Sequence, residues 1–430
     1  MWVVGLMVVI FFACCILGQP IFLALGLSGT ICNFLGVDGV SGTTIALQFF
    51  NSNNSWTLLA APFFLLSGNL MAACGPAEAL FKLCDAFLGH IKGGIAIAVV
   101  VACAMFGAVT GSAIATAIAI GATCIPEMRK RGYDEYFTMG LVGCSATLGL
   151  MIPPSIYMIL FAGQAQGNLI EYFTAGYLPG IVFAIILAVV AMFRLPKTAM
   201  TAPKMPWNQR GKALVNAIPA LGMPILIMVS IYSGLFTPTE SAALSVAYCL
   251  IVCPLAYRHK FTWKECWKQC CAAGRSNSQI FIILGAVYVF SNVLTYLRVG
   301  DIVSTWAVSL GFPALGMMFM MAMVYFIFGM FIDPVPIMYL TLPIFLPIVE
   351  AMNIPVTYFM IMTVAMMMVA QVSPPFGIIL FTMSGVFKAS VTTVIKGALP
   401  YIVCLLVGTV IVILFPELSL FLPRLMGFST

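Results

Sequence analysis

Apolar residues run along this chain in long segments, and polar residues are confined to the short stretches between them. A helix needs about 20 mainly apolar residues to cross a membrane, and most of these segments have roughly that length. The pattern predicts an all-α polytopic membrane protein in which the longest polar stretches, 197–212 and 258–278, are loops. The apolar segments are 1–17, 21–36, 55–76, 93–126, 137–161, 175–194, 213–235, 240–257, 279–297, 314–350, 357–384 and 398–421.

The first apolar segment has the length of a signal peptide but no basic region before it. After Gly18-Gln19-Pro20 the chain enters another apolar segment, so we expect 1–17 to be a retained span. Whether 1–36 makes one crossing or two stays open, because each half is short for a full span.

Two segments, 93–126 and 314–350, are too long for a single span. Each is interrupted near its middle, the first by Thr110-Gly111-Ser112 and the second by Asp333-Pro334. Non-helical backbone at this depth is tolerated only where it is buried in protein or lines a cavity. We therefore predict two re-entrant hairpins, with about ten transmembrane helices in addition to them.

Composition and charge agree with a membrane protein and set its orientation. Of the 430 residues, 62% are hydrophobic and 7% are charged, whereas soluble domains are about half apolar and a quarter charged. With two hairpins in place, every Lys and Arg except Arg298 and Arg424 falls on one face. The positive-inside rule makes that face cytoplasmic. The net charge of +6 therefore reflects topology, and no nucleic-acid partner is expected.

The chain also repeats its own motifs after 221 or 222 residues. Because the first hairpin opens from the cytoplasmic face and the second from the opposite face, the halves form an inverted repeat, as in many secondary transporters. We predict a first repeat over 1–200, a linker over 201–212 and a second repeat over 213–430. The paired motifs are Phe106-Gly107 with Phe328-Gly329, Ile125-Pro126 with Leu346-Pro347, and Ile152-Pro153-Pro154 with Ser373-Pro374-Pro375.

The first predicted ion site joins the tip of the first hairpin to a proline-paired span. Hydroxyl groups and unwound carbonyls at such a tip offer oxygen ligands that suit a sodium-like cation. Paired prolines remove two N–H donors and free the carbonyls they would have bonded. Small residues also permit close helix packing, and that structural explanation stays open. We place sodium site 1 at Thr110, Ser112, Gly149, Met151 and Pro153.

The second predicted ion site is the counterpart in the other half of the chain. Asp333 is the one acidic residue that the pattern places deep in an apolar segment, where a carboxylate is costly and usually functional. It either binds a cation or caps the start of a half-helix. We place sodium site 2 at Gly329, Asp333, Val372 and Pro374.

Substrate-binding residues are predicted beside these tips. The free N–H groups at the start of a half-helix suit a carboxylate, and Ser112 and Ser155 are the nearest polar candidates. Arg298, on the outer face, either attracts an anion or pairs with Asp301, and both alternatives stay open. Glu240 is expected to be structural, in the first turn of a helix capped by Thr239.

The chain has fourteen cysteines and two histidines. Most of the cysteines lie in apolar segments, where they pack as small hydrophobic residues, and no zinc-binding spacing is present. We expect no cofactor, no transition metal and no enzymatic activity, with sodium ions as the only bound metal.

Five motifs in order resemble the large membrane subunit of tripartite ATP-independent periplasmic (TRAP) transporters over about residues 16–421. By that resemblance, Thr110 and Ser112 stand where the family has a Ser-Gly-Ser hairpin tip, and Thr110 keeps the hydroxyl group. Asp333 stands where the family has the acid associated with its second sodium site. The motifs are Phe106–Thr116, Ile125-Pro126-Glu127-Met128 with Gly132-Tyr133, Ile152-Pro153-Pro154-Ser155, Thr237-Pro238-Thr239-Glu240, and Asp333 itself.

The resemblance implies an elevator-type carrier of the ion transporter superfamily, driven by sodium and located in a bacterial inner membrane. It also implies two partners, a separate small membrane subunit and a periplasmic substrate-binding protein. The binding protein would deliver a small organic anion, such as a C4-dicarboxylate or a sugar acid. The resemblance does not define which anion, because selectivity in the family rests largely with the soluble protein.

Two other functions stay open at this point. A stand-alone sodium-coupled di- or tricarboxylate symporter would share the fold and need no binding protein. An ion channel would pass current without accumulating a substrate. A membrane enzyme is the least expected class, because no cluster of His, Cys and Asp marks a catalytic site.

Overall fold

The structure is a computed structural model that describes residues 2–37, 39–257, 262–309 and 311–428. These residues form 21 helices and no β-strand, which confirms the all-α prediction. Numbered α1 to α21 in chain order, the helices are Trp2–Ile16, Ile21–Gly36, Gly42–Asn51, Ala60–Cys74, Pro76–Leu88, Gly94–Thr110, Ala113–Lys130, Glu135–Ala146, Leu148–Met151, Ile156–Ala165, Leu169–Phe193, Trp207–Tyr232, Pro238–Ala256, Trp263–Tyr296, Val299–Ser309, Ala314–Gly329, Pro334–Ala351, Val356–Val372, Ile378–Phe387, Val391–Leu414 and Glu417–Leu425.

Both long apolar segments break into two helices at the predicted residues. Helix α6 ends at Thr110 and α7 begins at Ala113, with Gly111 between them at a φ of 60°, a conformation that favours glycine. Helix α16 ends at Gly329, and α17 begins directly after Asp333. The positions of the breaks follow the polar and Gly/Pro patches. That the two pairs are re-entrant hairpins stays a prediction.

Two proline-paired segments form the centre of the protein. Helices α8 to α10 make one broken stretch, Glu135–Ala165, that is almost entirely buried inside the protein. Helix α18 is likewise buried along nearly its whole length. A helix that is apolar on all sides is typical of a protein core or a membrane span, and the burial of these helices places them in the core. Among the described residues, seven helices are long and apolar enough to span a membrane, or eight if the bent pair α4–α5 counts as one span.

One helix and the polar N-terminal parts of two others were missed because they carry no continuous apolar run. The predicted span 55–76 turns by 69° at Gly75 into the amphipathic helix α5. The predicted loop 258–278 is wrong from Trp263 onward, where Thr262 caps the 34-residue helix α14; residues 258–261 lie outside the described part of the chain. In the predicted loop 197–212, the last residues already belong to α12, which begins at Trp207.

Hydrogen bonds bring basic loops that are distant in sequence together at one end of the protein. The carbonyl of Arg131 accepts a bond of 2.9 Å from the Met200 N–H, and the carbonyl of Gly89 accepts one of 3.0 Å from Ala202. These contacts place the end of α5, the end of α7 and the linker before α12 side by side. We call this end the basic face.

All fourteen cysteines are free, and eleven of them are buried. This distribution agrees with their expected role as packing residues.

Candidate functional site

The tip of the first broken helix pair is closed by its own hydroxyl groups. The Thr110 Oγ1 is buried and lies 3.1 Å from the Thr116 Oγ1, and Thr116 donates a 2.8 Å hydrogen bond to the Ser112 carbonyl. The half-buried Ser112 caps α7 by accepting a bond from the Ala115 N–H. Thr116 was not among the predicted site residues, although it ends the same motif.

Small residues press this tip against the proline-paired span. A Cβ atom added to Gly107 would overlap the Gly149 backbone, and one added to Gly149 would lie 2.9 Å from the Gly107 Cα. A Cβ atom on Gly111 would lie 2.8 Å from the Pro154 carbonyl oxygen. The structure therefore brings the first break into contact with the Gly149 backbone and the Pro154 carbonyl.

Met151 is placed differently from the other four members of predicted site 1. Its carbonyl oxygen faces Gly176 of α11, where an added Cβ atom would collide with it. Thr110, Ser112 and Gly149 thus lie around the first break, Pro153 adjoins the Pro154 carbonyl that faces Gly111, and the Met151 carbonyl points towards the neighbouring helix.

The second break has the same kind of contact with α18. A Cβ atom on Gly329 would lie 2.6 Å from the Ala370 Cβ. The Met330 carbonyl accepts a 3.2 Å hydrogen bond from the Phe376 N–H, which ties the break to the loop that contains Pro374. Val372, the other predicted ligand on this side, is buried at the end of α18.

Asp333 caps helix α17. Its Oδ1 accepts a 3.1 Å bond from the Val335 N–H, and the side chain is exposed. One carboxylate oxygen carries this cap, and the structure thus shows the capping role. A role in ion binding remains a proposal.

The two tips differ in exposure. Pro153, Pro154 and Ser155 are buried beside the first tip, whereas Asp333 and Phe376 are exposed at the second. The two breaks have similar glycine contacts, but residues beside the second break are exposed at the protein surface and those beside the first are buried.

A polar bridge joins the two halves between these sites. The Gln371 Nε2 of α18 donates a 2.7 Å hydrogen bond to the Tyr157 hydroxyl of α10. The Gln371 Oε1 and the Ser155 Oγ are buried, and neither has a hydrogen-bond partner in the part of the chain that the structure describes. Of these groups only Ser155 was predicted. Gln371 could have been found as a polar residue inside an apolar segment.

Arg298 lies apart from the tips. It is exposed beside a surface cavity of about 820 Å³ that Asp301 also lines, and no salt bridge joins the two side chains in the described part of the chain. The neighbouring Gly300 packs against Pro343 and Pro347, in the half of α17 farthest from Asp333. The structure does not bring Arg298 together with Ser112 and Ser155.

Glu240 has a structural role, with a correction to the capping residue. Thr237 caps α13 by accepting a bond from the Glu240 N–H, and Glu240 in return accepts a 2.8 Å bond from the Thr237 N–H. This reciprocal pair is a capping box, and Pro238 occupies the first helical position after the cap. Thr239, the expected cap, instead donates a 2.8 Å bond to the Trp56 carbonyl.

A buried ion pair links α5 to the end of α7 on the basic face. The Arg131 guanidinium donates bonds of 2.8 and 2.6 Å to the two oxygens of Asp85, and it also contacts Glu127. Burial alone would lower the pKa of Arg131, but these bonds raise it above its usual range. No group of three or more His, Cys, Asp and Glu side chains in the described ranges is arranged to hold a metal ion.

Two solved transporter structures share this fold. The chain superposes on the Alcanivorax borkumensis YdaH transporter with a TM-score of 0.62 and 12% identity, covering 92% of this chain and 96% of that one. Neisseria gonorrhoeae MtrF, described as illuminating a class of antimetabolite efflux pumps, gives a TM-score of 0.60 and 11% identity over 92% and 93% of the two chains. The likeness shows that this chain shares its fold with these two polytopic membrane proteins.

Residues 8–418 match the family described as Tripartite ATP-independent periplasmic transporter, DctM component. The chain is 35% identical to the C4-dicarboxylate TRAP transporter large permease protein DctM of Pseudomonas aeruginosa over 94% of this chain and 95% of that protein. It is 32% identical to the ectoine/5-hydroxyectoine large permease protein UehC of Ruegeria pomeroyi, over 96% and 97%. It is 33% identical to the sialic acid permease protein SiaT of Haemophilus influenzae, over 87% of this chain and 61% of that longer one.

The chain therefore belongs to the DctM family, the large permease subunits of TRAP transporters. This confirms the family that the five motifs indicated. The relatives are named as transporter permeases, so the chain is a multi-pass membrane transport subunit and not an enzyme.

Proposed function

We propose that this subunit carries a small organic anion across the bacterial inner membrane, driven by sodium and by an elevator-type movement. A periplasmic binding protein would deliver the anion, and a separate small membrane subunit would complete the transporter. Membership of the DctM family supports both partners. The relatives above are named for C4-dicarboxylates, ectoines and sialic acid, which all carry a carboxylate group. A carboxylate is therefore the proposed common feature of the substrate.

One recurring contact carries the proposal of an inverted repeat with two hairpins. Gly107 packs on Gly149 in the first half, and Gly329 packs on Ala370 in the second. Gly329 follows Gly107 by 222 residues, and Ala370 follows Gly149 by 221 residues. These offsets equal the spacing of the repeated sequence motifs. In both halves the residue ahead of a helix break therefore meets a proline-paired span in the same way.

Sodium would bind at the two breaks. Hydroxyl and carbonyl oxygens around Thr110, Ser112, Gly149, Met151 and Pro153 would form site 1. In site 2, Gly329, Val372 and Pro374 would supply backbone oxygens and Asp333 a carboxylate. Oxygen ligands at unwound helix ends are what transporters use for sodium, and the free helix starts beside them suit a carboxylate. Ser112 and Ser155 would contact the substrate, and Arg298 would act at most as a distant attraction for it.

Uptake of radiolabelled carboxylic acids into proteoliposomes tests the proposal. The vesicles would contain this chain and its small membrane subunit, with an inward sodium gradient and with or without the binding protein. Uptake that requires both sodium and the binding protein is the expected result. Uptake with sodium alone would indicate a stand-alone symporter. Ionic current without accumulation would indicate a channel, and sodium-independent uptake would overturn the two ion sites.

A further inference from the structure

Arg210, in the first turn of α12 on the basic face, carries a buried charge with an unused hydrogen-bonding edge. The residue is 6% exposed, and its Nε and Nη2 atoms have no hydrogen-bond partner among the described residues. These two nitrogens form the edge of a guanidinium group that binds a phosphate or carboxylate with two parallel bonds. A buried charge without a counter-charge is costly. The edge is therefore suited to an anion from outside the described chain.

The helices packed against α12 do not supply that anion. Helix α12 contains no acidic residue, and neither does α6. The two acids of α5, Glu78 and Asp85, are each paired with another base. Glu240 of α13 lies at the opposite end of the protein, because α13 begins where α12 has already ended. On α5, α6 and α13, the helices that pack most extensively against α12, the described part of the chain thus leaves no acidic side chain for Arg210.

Two aromatic rings hold the guanidinium group near the start of the helix. The Arg210 Cζ lies 5.2 Å from the centre of the Trp207 ring and 5.4 Å from that of Phe87. Helical side chains lean towards the N-terminus, so the charge lies over the first turn. Pro206 precedes this turn without a side-chain cap, and the uncapped positive end of the helix adds to the attraction for an anion.

The same helix places the charge at a membrane boundary. Trp207, Leu214, Ile218 and Ile225 are all exposed and follow one another at helical spacing. An exposed apolar stripe on a membrane-spanning helix suits contact with lipid, and a tryptophan at its end is typical of the membrane–water interface. We propose that Arg210 binds the phosphate of an anionic phospholipid in the leaflet of the basic face, with the lipid chains lying along this stripe.

Native mass spectrometry of the purified transporter, titrated with phosphatidylglycerol, tests this site. Wild-type protein is expected to retain the lipid, and Arg210→Gln to bind it roughly tenfold more weakly, because a two-bond charged contact is lost. Lys204→Gln removes the same charge from an exposed position just before the helix and is expected to bind as wild type does. Arg210→Lys keeps the charge without the two-bond edge, so weaker binding by this folded variant would still support the site.

Binding of diacylglycerol, displacement by inorganic phosphate and retention of the small membrane subunit distinguish a lipid site from the alternatives. Diacylglycerol has the chains without the phosphate and is expected not to bind, whereas displacement of the lipid by inorganic phosphate alone would overturn the lipid assignment. Equal phosphatidylglycerol binding by wild type, Arg210→Gln and Arg210→Lys would overturn the site. Loss of the small membrane subunit from Arg210→Gln, with lipid binding unchanged, would assign the charge to a carboxylate of that subunit instead.

Discussion

Glycines at the helix breaks set how closely the chain can fold onto itself. At Gly107 and Gly149 two backbones meet where a single methyl group would not fit. The sequence motif pointed to Gly107 because a glycine recurs at Gly329, ahead of the second break. The orientation of the Met151 carbonyl could not be predicted, since it depends on where α11 packs.

Gly107→Ala is expected to destabilise the protein by about 1–3 kcal/mol, because the added methyl group would overfill a tightly packed contact. Thermal unfolding in detergent measures the change. Gly274→Ala is the matched control, since no atom lies within 4 Å of its added Cβ atom in the exposed part of α14. The control should be neutral or stabilising by up to about 1 kcal/mol through helix propensity. Equal effects of the two changes would contradict the contact.

Asp333→Asn separates capping from ion binding. Asparagine caps a helix about as well as aspartate, so the variant should keep its thermal stability but lose most of its sodium-dependent uptake. Asp333→Ala should lose both, because it also removes the bond to the Val335 N–H. Unchanged sodium dependence in Asp333→Asn would leave the side chain with its structural role only.

Among the helices, the ones that sequence reasoning found are those with continuous apolar runs. Breaks were also found, because Gly, Pro and polar residues interrupt such runs visibly. Helix α5 was missed because it buries one side and exposes the other, and α15 is a surface helix of the same kind. The role of α5 can be recognised only from its packing. It lies against α6 and α7, which flank the first break, and against α12 in the second half of the chain.

Asp85→Asn is expected to destabilise the protein by roughly 2–3 kcal/mol, because it leaves the largely buried Arg131 with only Glu127 as its counter-charge. Lys82→Gln, in the exposed pair with Glu78 on the same helix, should cost less than about 0.5 kcal/mol. Both values follow from chemical or thermal unfolding of the purified protein. If Lys82→Gln lowered the free energy of unfolding as much as Asp85→Asn, the buried pair would not stabilise the contact between α5 and α7 more than an exposed pair does.

At the scale of the whole molecule, a hydrogen bond between Tyr157 and Gln371 joins the two proposed repeats. The repeat could be predicted from motif spacing, and the similar contacts of Gly107 and Gly329 support it. The difference in exposure between the two tips could not be predicted, because equivalent motifs carry no information about which one is open. A carrier built from an inverted repeat requires such a difference in each of its states.

The sodium dependence of the initial uptake rate tests the central claim, that two ions bind at two related helix breaks. Rates would be measured in proteoliposomes that contain the complete transporter, over a range of sodium concentrations with potassium as the replacement. The account predicts a sigmoidal dependence with a Hill coefficient clearly above 1 and no greater than about 2, since the coefficient is limited by the number of coupled sites. A hyperbolic curve, or uptake that does not change with sodium, would contradict it.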